Sequence, residues 1–273
     1  MKYKFVSFIL AFAILLSCST TKNTVSQEED AHIYNTREYS IQSVLWQQNA
    51  GEYRALCYQA FNLAQLRLDQ FLADESLKGK KLAIITDIDE TVMDNSPYNA
   101  RLILDNKEYT AADWTDWVNH KTALAIPGAT DFLNYAKNKG VEVFYISNRM
   151  EHEKEATLEN MKQIQFPFAD NEHLLFKTTE SSKQARFDKV LANYTVLLFM
   201  GDNLSDFSSE FIVNSTQKRN QIVDAIHLKF GYNFIVLPNP MYGDWESKGI
   251  YQGKYNWTTE QKDSIWKSNL KGY

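Results

Sequence analysis

Cysteine, proline and glycine are all scarce in this chain of 273 residues, which has two, five and ten of them respectively. So few prolines and glycines exclude collagen-like and low-complexity architectures. Cys57 is the only cysteine in the part expected to fold, and we predict that it is a small buried apolar residue.

The chain also lacks an excess of basic residues. The formal net charge of −5 argues against a general nucleic-acid binder, which needs a basic face to neutralise phosphates.

Apolar and aromatic residues, by contrast, are abundant. The chain has 16 Phe, 15 Tyr and 6 Trp, and 44% of its residues are hydrophobic, which excludes an intrinsically disordered protein. The length suits one large domain, or a core domain with a smaller attachment.

The N-terminal residues are typical of a secretory signal. Two lysines precede an apolar run at residues 5–16, which is too short for a comfortable membrane-spanning helix. Residues 15–18, Leu-Leu-Ser-Cys, resemble a bacterial lipobox, and an ordinary signal peptide cleaved nearby is the alternative. We expect residues 1–17 to be removed, Cys18 to carry lipid, and residues 18–31 to form a flexible tether. The protein is then expected in the bacterial cell envelope, lipid-anchored, with the outer membrane favoured.

Short apolar runs alternate with helical patterns through the middle of the chain. The runs typical of buried parallel strands are 82–86, 141–146, 196–200 and 234–237, with 174–176 as a weaker candidate. Helices are predicted between them at 128–139, 153–165 and 182–193. This alternation predicts an α/β fold with a doubly wound parallel sheet and helices on both faces.

The same patterns predict how the chain is divided. Residues 81–238 are expected to form the sheet-containing core, with a small cap insertion around 95–125. The helical segment 32–80 and the aromatic-rich segment 239–273 are expected to pack together as a smaller, mostly helical domain.

Polar residues follow three of the predicted strands at the point where each strand ends. They are Asp87 and Asp89 after the first, Ser147 and Asn148 after the second, Asp202 and Asp206 after the third, and Lys183 at the start of an intervening helix. Because ligands bind open parallel sheets at the carboxyl ends of the strands, we predict a functional site at this edge.

The four aspartates favour a divalent cation. Asp87 and Asp89 are two residues apart, so their side chains leave an extended backbone on the same side, and neighbouring carboxylates ionise together only beside a cation. With Asp202 and Asp206 they form an all-oxygen set that suits Mg²⁺. No His or Cys lies near these positions in the sequence, which argues against zinc.

The remaining groups indicate the substrate. The Ser147 hydroxyl, the backbone N–H groups that follow it and the Lys183 ammonium form an anion cradle suited to phosphate. A metal, a carboxylate nucleophile and a phosphate cradle together predict phosphoryl transfer through an aspartyl-phosphate.

This ordered set of motifs resembles the haloacid dehalogenase (HAD) superfamily, and more narrowly the class C acid phosphatases, also called the 5′-nucleotidase, lipoprotein e-type family. The resemblance is carried by 87–91, 94–98, 147–149, Lys183 and 201–207, and it extends to 239–246. It implies a HAD-like fold and a Mg²⁺-dependent acid phosphatase. The implied substrates are small phosphomonoesters such as 5′-nucleotides, nicotinamide mononucleotide and aryl phosphates, and a homodimer is the implied candidate assembly.

The resemblance also implies catalytic and metal-binding roles. Asp87 would be the nucleophile, and Asp89 the general acid that protonates the leaving alkoxide and then activates water. The Asp87 and Asp202 carboxylates and the Asp89 backbone carbonyl would hold Mg²⁺, with Asp206 as a further ligand or as an orienting group.

Substrate-binding roles follow from the same resemblance. Ser147 and Asn148 would hold the phosphoryl oxygens, and Lys183 would offset their negative charge. Trp117 and Tyr242 fall where the family stacks an aromatic ring of the substrate.

Four neighbours of the site are expected to be structural. Arg149 and Arg186 are expected to form surface or inter-helix ion pairs, although contact with phosphate stays open. Glu90 is expected to face away from the site because neighbouring residues on a strand alternate, and Trp114 is expected to pack in the fold.

Two alternatives stay open. A phosphotransferase would use the same aspartyl-phosphate and pass the group to an acceptor hydroxyl. A non-catalytic binding lipoprotein on the same fold is disfavoured, because it predicts the loss of a residue such as Asp87 or Lys183, and both are present.

Overall fold

The computed structural model describes residues 36–273. The predictions of a signal peptide at residues 1–17, lipidated Cys18 and a tether at residues 18–31 lie outside the described residues. Within the described part of the chain, no helix is both long enough and apolar enough to cross a membrane.

A five-stranded parallel sheet forms the centre of the fold. Its strands are β1 (Leu82–Thr86), β4 (Glu142–Met150), β5 (Leu174–Lys177), β6 (Thr195–Gly201) and β7 (Phe234–Val236). A separate antiparallel pair consists of β2 (Met93–Asp94) and β3 (Leu124–Ala125). The order in the sheet is β5-β4-β1-β6-β7, so the chain moves outward from β1 on one side and then returns to its other side. The predicted doubly wound α/β fold is confirmed, and the ends of β1 and its two neighbours lie where the strand order reverses.

Helices cover both faces of this sheet. The α-helices of the described residues, not all of which lie on the sheet, are α1 (Ile41–Asn49), α2 (Gly51–Leu72), α3 (Ser96–Leu104), α4 (Ala111–His120), α5 (Ala129–Asn138), α6 (Lys154–Gln163), α7 (Gln184–Leu191), α8 (Thr216–Ala225) and α9 (Thr259–Asn269). The predicted helices at 128–139, 153–165 and 182–193 agree with α5, α6 and α7 to within two residues at each end.

The pleat of β1 divides the core into two layers. Ile84 packs on one face with Phe61 of α2 and Phe132 of α5. Ile85 points to the other face and packs against Phe187 of α7. Burying each such side chain contributes roughly 1.5–3 kcal/mol, so apolar residues on both faces of β1 stabilise the core.

Helix α2 belongs to this core. Cys57 and Leu68 are fully buried in the same cluster as Ile84, which confirms that Cys57 is a buried apolar residue. Much of the segment assigned to a smaller helical domain therefore packs directly on the sheet. The boundaries at residues 81 and 238 stay a prediction.

Elements from both ends of the described chain lie beside the cap insertion. The 3₁₀ turn Thr36–Ser40 contributes Tyr39, whose ring meets that of Trp266 on α9 edge-on, with 4.9 Å between the ring centroids. The insertion itself contains α3 and α4. Thr115 of α4 donates a hydrogen bond to Glu153 at 2.7 Å, and this bond holds α4 beside the segment that follows β4.

Candidate active site

The segment after β1 folds into a compact turn. The Asp87 N–H donates to the Met200 carbonyl of β6 at 2.9 Å, and the Met93 N–H donates to the Ile88 carbonyl at 2.9 Å. Glu90, in the middle of the turn, has a left-handed φ of 55°. Asp87 and Asp89 both line the pocket that opens here.

Three aspartates meet beyond the ends of β1 and β6. One carboxylate oxygen from each of Asp87, Asp202 and Asp206 lies within 4.8 Å of the others. Asp202 is oriented by the Thr91 hydroxyl at 3.0 Å and by the Asn239 amide at 2.8 Å. The all-oxygen donor set and its spacing fit a hard divalent cation.

Electrostatics in this cluster also favour a bound cation. Burial, with a further contribution from the Asp206 carboxylate, raises the pKa of Asp202 to about 7. Burial likewise raises the pKa of Asp87 well above its ordinary value, and the Lys183 ammonium acts against that shift. A cation held between the carboxylates would favour their ionised form.

Lys183 supplies positive charge to the same place. Its side chain is buried, and its ammonium contacts Asp87 and lies 2.8 Å from Asp206. Burial by itself lowers the pKa of Lys183, but the Asp206 and Asp87 carboxylates outweigh burial and raise it. The ammonium therefore stays charged beside Asp87.

Asp89 is held by several hydrogen-bond donors. The Asn95 amide lies at 2.9 Å, the Ser147 hydroxyl at 3.2 Å, and two nitrogens of Arg149 at 3.0 and 2.8 Å from its carboxylate. The prediction of a surface or inter-helix ion pair for Arg149 is wrong. Arg149 is 3% exposed, lines the pocket and pairs with Asp89. The sequence could not reveal this pair because the two residues are 60 positions apart.

Arg186 also differs from its prediction. It is buried, and its guanidinium donates to the Ser147 carbonyl and, at 2.7 Å, to the Asn148 side-chain oxygen. Among residues 36–273 it has no carboxylate within 4 Å, so it forms no ion pair there. Arg186 instead holds Asn148 at the pocket, whereas Ser147 is buried and its hydroxyl points to Asp89.

The pocket has a volume of about 480 Å³. Asp87, Asp89, Asn148, Lys183, Asp202 and Asp206 line it, which brings together six of the seven polar residues predicted for the site. Aromatic residues line it as well, namely Tyr98, Tyr109, Trp114 and Tyr242, and together they form its aromatic wall. The pocket therefore combines charged residues with an aromatic wall.

The two tryptophans of α4 have the opposite of their predicted roles, because Trp117 was predicted to contact the substrate and Trp114 to pack in the fold. Trp114 lines the pocket, where its ring lies edge-on to Tyr98 at 5.1 Å and the Arg149 guanidinium carbon lies 5.5 Å from its centroid. Trp117 does not line the pocket, because its indole nitrogen donates to Asn95 at 2.8 Å and its ring packs against the core. One turn along α4 therefore separates a residue of the pocket from one behind it.

Glu90 lies beneath the pocket wall. It is fully buried and does not line the pocket, as expected, yet its carboxylate accepts hydrogen bonds from the Tyr242 hydroxyl and, at 2.9 Å, from the Asn95 N–H. Burial raises the pKa of Glu90 well above its ordinary value. Glu90 thus connects the turn after β1 to the aromatic wall.

Solved structures and curated proteins similar to this chain include phosphatases. Two structures of the class C acid phosphatase from Bacillus anthracis, one with tungstate bound, are 41% identical to it, with a TM-score of 0.84. Each comparison covers 88% of this chain and 100% of the other. The stem 31 kDa glycoprotein of Glycine max is 25% identical over 161 residues, or 57% of each chain. Acid phosphatase 1 of Solanum lycopersicum is 22% identical over 158 residues, or 58% of this chain and 57% of the relative.

The chain spans little more than half the length of these two curated relatives. The match to a family model is longer and extends over residues 10–245. That model describes the HAD superfamily, subfamily IIIB (acid phosphatase), and this chain belongs to that family.

Proposed function

We propose that this protein is a Mg²⁺-dependent acid phosphatase that hydrolyses phosphomonoesters through an aspartyl-phosphate. The observation that carries the proposal is the position of Asp87, which lines the pocket, contacts the Lys183 ammonium and forms a carboxylate cluster with Asp202 and Asp206. The tungstate bound to the Bacillus anthracis relative supports it, because tungstate is a tetrahedral oxyanion like phosphate.

Asp87 is the nucleophile. One of its carboxylate oxygens bonds to phosphorus while the bond between phosphorus and the leaving oxygen breaks. Lys183 and Asn148 bind the phosphoryl oxygens. Asp87, Asp202 and Asp206 would hold Mg²⁺, which, when bound, supplies positive charge that offsets the charge of the transferring group.

Asp89 acts as general acid and then as general base. It donates a proton to the leaving alkoxide in the first step and accepts one from the attacking water in the second. Asn95, Ser147 and Arg149 orient its carboxylate for both transfers.

The aromatic wall determines the class of leaving group. The rings available to stack on a nucleobase, nicotinamide or aryl group are those of Trp114 and Tyr242. Trp114 takes the place predicted for Trp117, which does not line the pocket. Stacking of this kind contributes about 1–3 kcal/mol per base and tolerates different rings. We infer broad acceptance of 5′-nucleotides, nicotinamide mononucleotide and aryl phosphates.

Anchoring in the bacterial envelope through lipid on Cys18 is part of the same proposal. It is supported by the resemblance of residues 15–18 to a lipobox. Metabolic labelling with a radioactive fatty acid tests it, and loss of the label in Cys18→Ala is the expected result.

Phosphate release from 5′-mononucleotides and an aryl phosphate tests the activity. A form beginning at Gln27 is assayed with Mg²⁺ and with EDTA, alongside Asp87→Asn and the control Asp105→Asn, which lies outside the pocket. We expect EDTA to abolish turnover and Asp87→Asn to lower kcat by at least about 10³-fold, with the control unchanged. A folded, metal-binding protein that releases no phosphate would contradict the proposal. Phosphorylation of an added nucleoside would instead indicate the phosphotransferase.

A further inference from the structure

A second, smaller chamber adjoins the active-site pocket. Its volume is about 220 Å³, and Arg37, Tyr242, Glu246 and Ser247 line both cavities. Pockets that hold a whole drug-sized ligand usually measure about 300–1,000 Å³. A chamber of this size next to a larger pocket suits one part of a ligand whose other part occupies that pocket.

Aromatic rings form much of the chamber wall. Tyr251, Tyr255, Trp257 and Trp266 line it in addition to Tyr242. Tyr255 is 68% exposed, so its ring is free to contact a ligand. The indole nitrogen of Trp257 is buried and has no hydrogen-bond partner among the described residues, which leaves a donor unused in this wall.

The charge in the chamber favours an anion. Three cationic side chains, those of Arg37, Lys254 and Lys262, line it together with two carboxylates, those of Glu108 and Glu246. Lys254 has no carboxylate within 4 Å in the part of the chain that the structure describes, and its ammonium lies 5.7 Å from the centre of the Trp257 ring. Positive groups therefore predominate beside the rings.

We propose that this chamber binds the distal part of an extended phosphomonoester, in which a second ring is joined to the first through an anionic link. The first ring stacks at Trp114 and Tyr242, the link lies near Lys254, and the second ring packs against Tyr255 and Trp257. A 5′-phosphorylated dinucleotide has this chemistry. The inference rests on the proposed phosphatase activity and narrows its substrate class.

The reaction itself is unchanged. The 5′-phosphate ester bond breaks, water supplies the oxygen and protons, and the products are inorganic phosphate and a dinucleoside monophosphate with a free 5′-hydroxyl. The internal phosphodiester stays intact, because it lies in the chamber and away from Asp87.

Steady-state kinetics of the full chain with Mg²⁺ tests the proposal on three substrates. These are adenosine 5′-monophosphate, adenosine 3′,5′-bisphosphate and the 5′-phosphorylated dinucleotide of adenosine. We expect the dinucleotide to have a KM at least about fivefold below that of the monophosphate, because it adds one stacked ring. The bisphosphate has the second charge without the second ring, so its KM should lie between those of the monophosphate and the dinucleotide.

Two variants at exposed positions, Tyr255→Ala and Lys254→Ala, test the chamber directly. Each should lower the ratio of kcat/KM for dinucleotide over monophosphate, and Tyr255→Ala should lower it to about the ratio that the bisphosphate shows. The matched controls Tyr273→Ala and Lys78→Ala, which do not line the chamber, should keep the ratio of the unsubstituted protein.

Each remaining outcome contradicts a distinct claim. Equal KM values for monophosphate and dinucleotide would overturn the chamber while leaving the phosphatase activity intact. Equal KM values for bisphosphate and dinucleotide would overturn the role of the second ring. Absence of phosphate release from all three substrates would overturn the proposed function, and this inference with it.

Discussion

At the scale of single residues, the residues of the site are held in position by hydrogen bonds from neighbouring side chains. Asp89 is oriented by Arg149, which also donates to the Thr157 hydroxyl at 2.9 Å. Asn95 contacts both Asp89 and Trp117. Asn95 and Arg149 lie within motifs that carry the family resemblance, but their contacts with Asp89 are evident only from the fold.

Arg149→Lys is expected to lower kcat by roughly 10- to 100-fold. Lysine keeps the positive charge but cannot donate to Asp89 from two nitrogens of one planar group, so the carboxylate loses its fixed orientation. Steady-state kinetics and thermal unfolding of the variant measure both effects. The control is Arg101→Lys, whose exposed ion pair with Asp105 contributes at most about 1 kcal/mol. A kcat equal to that of the unsubstituted protein would exclude an orienting role for Arg149.

The contact between Glu90 and Tyr242 is expected to affect ring-bearing substrates selectively. Glu90→Gln and Tyr242→Phe each remove or weaken this buried hydrogen bond, so each should raise KM several-fold for an aryl phosphate. The ringless substrate glycerol phosphate should change little. If both residues act through this bond, the double variant should resemble either single one, and additive effects would argue against that coupling.

At the scale of elements, β6 ends in a residue that must be glycine. A Cβ on Gly201 would lie 2.3 Å from the Cβ of Asp206, a distance at which something has to shift. The close approach lets the chain turn back so that Asp202 and Asp206 face the same pocket. Glycine is required here by space, because no side chain fits beside Asp206.

Gly201→Ala is therefore expected to displace Asp206 and to lower both kcat and melting temperature. We expect a loss of activity of at least about tenfold and a destabilisation of roughly 1–3 kcal/mol, as for overpacking in a core. Gly51→Ala is the control, because a Cβ there has nothing within 4 Å and lies in helix α2, where alanine is favoured. Activity and stability close to those of the unsubstituted protein would show that Asp206 need not stay in place.

The sequence was sufficient to predict elements where local patterns decide the outcome. All five parallel strands were predicted, because a strand buried on both faces has a continuous apolar run. Strand β4 was predicted to end at Ile146 but extends to Met150, through the polar residues of the site. The polar residues Ser147 and Asn148 interrupt the apolar pattern from which the strand was predicted, so the sequence does not show that the strand continues through them.

At the scale of the whole molecule, the site joins positions that are distant in the chain. Lys183 is 96 positions from Asp87, and Tyr242 is 152 positions from Glu90. Residues that follow a strand were predictable, because topology alone brings strand ends to one edge of the sheet. It was not predictable that Trp114, and not Trp117, lines the pocket, because this depends on which face of α4 meets Asn95 once the insertion has packed.

The carboxylate cluster links β1 to the segment after β6, so a cation bound there should stabilise the whole fold. A ligand at 100 times its dissociation constant adds about 2.7 kcal/mol to the free energy of unfolding. We expect Mg²⁺ at millimolar concentration to raise the melting temperature by several degrees, and EDTA to reverse the increase. Asp202→Asn should lose the response, while Asp105→Asn, which changes an aspartate outside the cluster and the pocket, should keep it. An unchanged melting temperature across saturating Mg²⁺ would mean that Asp87, Asp202 and Asp206 do not hold the ion.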